Sequence, residues 1–381
     1  MGGRVPGMIE HIVIAGASLA GLRAAQTLRD EGFTGPLTLV GAEPHRPYNR
    51  PPLSKSVLTG DDDVALPGGD EPEAAWLTGR RAVRLDAGAR VLTLDDGAEL
   101  RYDGLVIATG AQPRRLPGDA LVLRTLDDAL ALRAALARGP ERVAIVGGGF
   151  IGGEVASTVR ALGIPVTLID SGELPMAGVI GATAARWLAD HHRAHGVDLV
   201  TGARVTEVAG GAVLLADGRR VEAGLVVAAI GVVPATGWLD GSGVKIDDGV
   251  VTDAALFAEG ASGIVAAGDV ARWPHPVFGA SVRVEHWANA NEQGALAARN
   301  LLHGPDAAEP YAEVPGLGTR VHGARVQWAG LPALADASEV AAGSVEEDRF
   351  AVAFTRNGVP VGAVGVSFPK EFNRLRRAIV G

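Results

Sequence analysis

Glycines at 147, 149 and 152 close one short apolar run and open a helical one, forming a G-x-G-x-x-G turn. In such a turn the first glycine permits the tight bend, the second lets a phosphate approach the backbone, and the third lets helix and strand pack closely. The helix then offers free N–H groups and a positive dipole end to a pyrophosphate. Asp170 ends the next apolar run. There it can accept bonds from the hydroxyls of an adenosine ribose and repel a 2′-phosphate, so the spacing predicts NADH in preference to NADPH. Earlier in the chain Gly16 and Gly21 frame a second turn, GASLAG, with Ser18 in the middle position and Glu43 in the place of the aspartate. Two such sets predict a flavin held by one and a nicotinamide by the other. The stretch GIVAAGDVAR (263–272) ends a buried run in Gly268-Asp269. A carboxylate there either bonds a ribityl or pyrophosphate hydroxyl or serves as a plain helix N-cap.

The elements that must position these groups repeat one plan. HIVIAGASLAGLRAAQTLRDEG (11–32) and RVAIVGGGFIGGEVASTVRALG (142–163) each read as buried strand, glycine turn and helix, followed by second strands in PLTLVGAE (36–43) and PVTLIDSG (165–172). Each is a βαβ unit, whose natural product is a parallel sheet. The stretches 82–110 and 203–231 then alternate as antiparallel strands around turns at DDG and ADGR before returning to a buried strand. From about 313 the pattern changes to RVQWAG, RFAVAFTRNG and VPVGAVGV, with a helix expected at 370–380. The predicted fold is α/β, with two Rossmann-like dinucleotide-binding domains, for FAD and for NAD, plus a C-terminal α+β domain.

Bulk properties narrow the function. A chain of 381 residues exceeds one ordinary core. A net charge of −9 argues against nucleic acid as a main partner, and the basic RLRR at 374–377 reads as a solvated helix face. The chain has no cysteine, so it carries no disulfide, cysteine–zinc site, iron–sulfur cluster or redox-active thiol pair of its own. The opening residues lead straight into the first glycine turn and are not expected to form a signal peptide. No apolar run is long enough to cross a bilayer, so a cytoplasmic protein with no membrane partner is expected. DHHRAHG (190–196) has metal-like spacing, but it ends a helix before a glycine, where imidazolium suits the dipole; no metal is expected.

One more stretch stands out. HRPYNRPPLSK (45–55) packs three prolines before a single lysine. Together with GASLAG, LVIATGAQPRRLPG, LRTLDDALALR, GGGFIGGEVA, VVAAIGVVP, AAGDVA, VEHWANANEQGALAARNLL and VGAVGVSFPKEFNRLRR, it makes nearly the whole chain resemble the FAD-dependent ferredoxin (redoxin) reductases that serve cytochrome P450 and ring-hydroxylating oxygenase systems. The resemblance implies an FAD domain in two segments (1–112 and 241–312), an NAD domain at 113–240 and a C-terminal domain at 313–381. It implies FAD contacts at Ala20, Glu43, Lys55, Val83, Arg124, Asp269 and Trp287, and a nicotinamide site that includes Gly231. It further implies that Lys55 approaches the flavin N5 edge and pairs with Glu154, and that NADH delivers electrons through FAD to a ferredoxin-type iron–sulfur protein. A buried ammonium there would stabilise negative charge on reduced flavin, and the carboxylate would offset its desolvation. The family carries an aromatic-rich segment, roughly VPYFWSDQY, where this chain has VPGLGTRVHG (314–323). Either the flavin face is reshaped for a different acceptor, such as an oxidase or small-molecule substrate or a slow redox-sensing role, or other residues fill the space. His322 reads as a packing histidine.

Overall fold

The computed structural model describes residues 9–68 and 71–379. The reading of the first eight residues and the last position of the 370–380 helix lie outside them. The chain forms two compact units, one within Met1–Asn49, Ala65–Gln112 and Val233–Glu313, the other within Arg50–Val64, Pro113–Val232 and Val314–Gly381.

The first unit is built on five parallel strands in the order Ile264–Ala266, Gly104–Ile107, Ile12–Ala15, Leu37–Gly41, Ala75–Thr78. Ile12 pairs with Leu37 on one side and Gly104 on the other. Ile12 and Ile14 belong to one apolar cluster while Val13 and Ala15 belong to another, so the sheet is covered on both faces. The Leu19–Asp30 helix packs on the Trp287–His303 helix. They meet so closely that a Cβ on Gly294 would lie 2.4 Å from the Ala20 carbonyl oxygen. The expected antiparallel segment is a three-stranded sheet, Ala82–Asp86, Val91–Leu94 and Glu99–Arg101.

The second unit repeats this plan. Its parallel sheet runs Val197–Val200, Val166–Ile169, Val143–Val146, Leu225–Ala228, Leu121–Val122, and its antiparallel sheet is Val205–Ala209, Ala212–Leu215, Arg220–Glu222. The Leu126–Ala137 helix starts at a capping box in which Thr125 and Asp128 each accept the other's backbone N–H. The proline loop enters this unit as a single 3₁₀ turn, Pro51–Ser54, with Pro in the first turn where a missing N–H costs nothing. The alternating C-terminal stretches form a five-stranded antiparallel sheet in the order Gly316–Val321, Ala324–Gly330, Val359–Val366, Arg349–Arg356, Ala337–Ser344. The Pro369–Ala378 helix lies on it, where Gly365 leaves room for the Phe372 ring.

Candidate functional site

The two glycine turns have the same geometry. Gly16 and Gly147 take φ of +126° and +102°, and a Cβ on them would meet the carbonyl oxygens of Ala108 and Ala229 at 2.0 and 2.3 Å. Gly21 and Gly152 press on the first glycine of their own turn, where a Cβ would lie 1.8 and 1.9 Å from its carbonyl oxygen. The middle position is different. Gly149 has ordinary φ, −70°, and nothing within 4 Å of a Cβ, so the fold does not demand glycine there. That explains how Ser18 can hold the same place in the first turn.

In the second unit a groove of about 420 Å³ brings together Gly147, Gly149, Asp170 and Gly231, with Arg204 and Ser171 also at its wall. Gly148 and Gly172 donate backbone N–H bonds to the two Asp170 oxygens at 2.6 and 2.8 Å, which fixes the carboxylate at the groove.

Lys55 and Glu154 meet in the same unit, with Nζ 2.6 Å from Oε2. The Lys55 ammonium also donates to the Pro51 carbonyl at 3.0 Å. Glu154 rises from the helix Phe150–Ala161 and its side chain is only 11% exposed. Two further donors, absent from the sequence reading, complete its shell: Ser54 Oγ reaches Oε2 at 2.5 Å, and Thr319 donates to Oε1 in a short bond. One turn along the helix, Thr158 donates to the Ser54 carbonyl at 2.8 Å, so the end of the proline loop is fastened twice. Arg124 stands just before the Leu126–Ala137 helix, where its carbonyl accepts from Arg50 and its N–H donates to Asp128.

The first unit gathers a second group of predicted residues. A Cβ on Gly268 would lie 3.2 Å from that of Ala20 and 3.5 Å from that of Ala290, one turn beyond Trp287. Asp269 sits in the 3₁₀ turn Gly268–Val270, and Gln293 accepts the Gly268 N–H at 2.9 Å. Trp287 Nε1, Asn289 Oδ1 and Gln293 Nε2 are buried without partners among the described residues. Buried polar groups seldom remain unsatisfied, so these three point to a polar ligand beside the turn. Burial pushes the His286 imidazole down to about 4, against the pull of the Asp269 charge. Tyr48, from the proline loop, donates to Glu43 at 2.5 Å, a contact the sequence did not suggest. Val83 stands 43% exposed on its strand. These residues fit a flavin nucleotide: a glycine turn that a Cβ would close, an acidic group ending the next strand, and unsatisfied donors and acceptors at a helix start.

The 314–323 segment forms a strand whose Leu317, Thr319 and Val321 face inward while Gly318 and Arg320 point out. Trp328, opposite Leu317, stacks on Phe150 with ring centroids 4.2 Å apart. The aromatic pair thus occupies the inward face, whereas Gly316 and Gly318 lie on the opposite one. The histidine-rich helix end requires a correction. It does end a helix, Ala177–Ala194, but burial disfavours the imidazolium form of His191 and His192 there. His192 is fully buried and shares a bond of 3.0 Å with His322, which stacks on His195. Burial, then neighbouring histidines, lowers His192 to about 4 and His322 to about 3; His191 is lowered by the same causes. No group of three or more possible ligands among the described residues could hold a metal ion. No helix among them is long and apolar enough to cross a membrane.

Residues 10–294 match the model of the pyridine nucleotide-disulphide oxidoreductase family. The anthranilate 1,2-dioxygenase system ferredoxin–NAD(+) reductase component of Burkholderia cepacia is 38% identical, over 97% of this chain and 94% of that protein. Rhodocoxin reductase of Rhodococcus erythropolis is 34% identical, over 97% and 89%. Among solved structures, the covalent putidaredoxin reductase–putidaredoxin complex matches with a TM-score of 0.90 at 31% identity, covering 97% of this chain and 93% of that one.

Proposed function

The chain belongs to the pyridine nucleotide-disulphide oxidoreductase family, and from that premise we propose that it is an NADH-dependent ferredoxin reductase of an oxygenase system. The observation that carries this reading is the doubled glycine turn, each copy with its acidic partner, in a chain without cysteine. Two nucleotide sites imply that electrons pass between two bound cofactors. The absent thiols remove the dithiol route for which the family is named, so the electrons leave for an external acceptor.

FAD, once bound, would supply the conversion between two-electron nicotinamide and one-electron acceptor chemistry. Gly16, Ala20, Gly21, Glu43, Val83, Asp269 and Trp287 would hold it, and Arg124 and Lys55 are further contacts that the family resemblance implies. The groove at Gly147, Gly149, Asp170 and Gly231 would bind and orient NADH, with Gly152 letting the helix pack against the turn. The Lys55 ammonium, kept in place by Glu154, would supply positive charge where the reduced cofactor gathers negative charge. No side chain need act as acid or base, because alignment is the protein's contribution. Carboxylates at these turns bond unmodified ribose and repel a 2′-phosphate, so NADH is the expected donor. A cytoplasmic setting, where NADH is regenerated, is part of the same proposal.

The test is anaerobic reduction of the purified flavoprotein by each nicotinamide, followed as bleaching of the flavin colour. NADH should reduce it at least about tenfold faster than NADPH. Comparable rates would contradict the role given to Asp170.

A further inference from the structure

We infer that Thr319 is a positioning residue for the Lys55–Glu154 pair, acting from the C-terminal sheet. This rests on the reading of that pair given above, and deepens it. Glu154 is nearly buried, and a buried carboxylate needs a donor at each oxygen to offset lost hydration. Lys55 and Ser54 both converge on Oε2. Only Thr319 holds Oε1 among the described contacts. Without it the carboxylate could turn about its last torsion, and Oε2 would no longer be aimed at the ammonium.

The strand is well placed to act as a fixed arm. Thr319 is 6% exposed, so its hydroxyl has no water to compete with Glu154. Phe150 and Trp328 stack at the start of the helix that carries Glu154, and Ser157 accepts the His322 N–H at 2.8 Å, about one turn beyond Glu154. His322 thus ties the end of this strand to the helix, and Trp328 ties the strand paired with it.

The experiment compares Thr319→Val, close in shape but without the hydroxyl, with Thr319→Ser, which keeps it. The first readout is acetylation of Lys55, mapped by mass spectrometry under limiting reagent. With its carboxylate partner loosened, Lys55 in Thr319→Val should be modified about threefold faster than in the parent protein, and Thr319→Ser should restore the slow rate. The second is stopped-flow reduction by NADH, where Thr319→Val should fall about tenfold in limiting rate with the apparent KM for NADH within about twofold. Should Thr319→Val fail to fold, Ser54→Ala provides the same comparison at the other oxygen's shell. Unchanged labelling and unchanged reduction in the folded variant would overturn the inference. Faster labelling without any effect on reduction would leave Thr319 a structural tether and overturn its positioning role. If the parent protein itself is not reduced by NADH, the functional reading fails, whereas the labelling still reports on Thr319.

Discussion

Gly149 and Gly152 stand three positions apart in one motif and answer to different constraints. A methyl at 152 would lie 1.9 Å from the Gly147 carbonyl oxygen, so the helix must move off the strand to admit it. Gly152→Ala is therefore expected to cost about 1–3 kcal/mol of stability, the range for overpacking a tight contact. Gly149→Ser meets open space at an ordinary φ and should change stability by less than about 0.5 kcal/mol. Denaturant unfolding of the two variants checks both numbers, and equal losses would contradict the distinction. The spacing alone marked all three glycines and could not rank them, because the ranking depends on which carbonyl lies across the turn. The Lys55–Glu154 contact was legible only through resemblance, and the structure realises it at 2.6 Å. Tyr48 on Glu43 and Thr319 on Glu154 were not legible. A hydroxyl carries no sequence signal for a partner 165 residues away.

Among the elements, the end of the Ala177–Ala194 helix and the turn at His322 form a unit with a distinctive acid response. Their boundaries followed from the helical run and Gly196, but the ring cluster did not, since His192 and His322 are 130 residues apart. His192 has its pKa lowered from 6.5 to about 4 by burial and by the nearby His191 and His195. Its neutral form is favoured by folding, so the unfolded chain binds the proton more readily between those two values. Stability is complete above about pH 6.5 and is lost as pH falls toward 4, with His192 alone contributing roughly 2 kcal/mol of loss by pH 5. His322, lowered to about 3 and flanked by Arg160, adds in the same direction, while Asp348 opposes it slightly at His191. Asparagine suits the left-handed φ of +47° at position 322. Urea unfolding of His322→Asn at pH 7 and pH 5 should show a smaller loss than the parent chain. An identical loss would mean that the cluster is not the source of acid sensitivity.

For the whole molecule, the duplicated strand–turn–helix plan and the antiparallel C-terminal sheet could be read from alternation and glycine placement. What lay beyond that reading was which stretches cluster together: Arg50–Val64 and the C-terminal sheet both join the unit that holds Glu154. Two segments far apart in sequence thereby supply the donors around one carboxylate on a third. In the 314–323 segment Gly316 and Gly318 alternate with Leu317, so they lie on the face away from the Phe150–Trp328 stack. The similarity to ferredoxin reductases over nearly the whole chain favours an iron–sulfur acceptor over oxygen or an organic substrate. The most direct measurement reduces the flavoprotein anaerobically with one equivalent of NADH and mixes it rapidly with a ferredoxin-type iron–sulfur protein, cytochrome c or oxygen in separate runs. Reoxidation should be fastest with the iron–sulfur protein, by about a hundredfold over oxygen. Rapid reoxidation by oxygen or an organic substrate alone, or slow reoxidation by every acceptor, would contradict the proposed function.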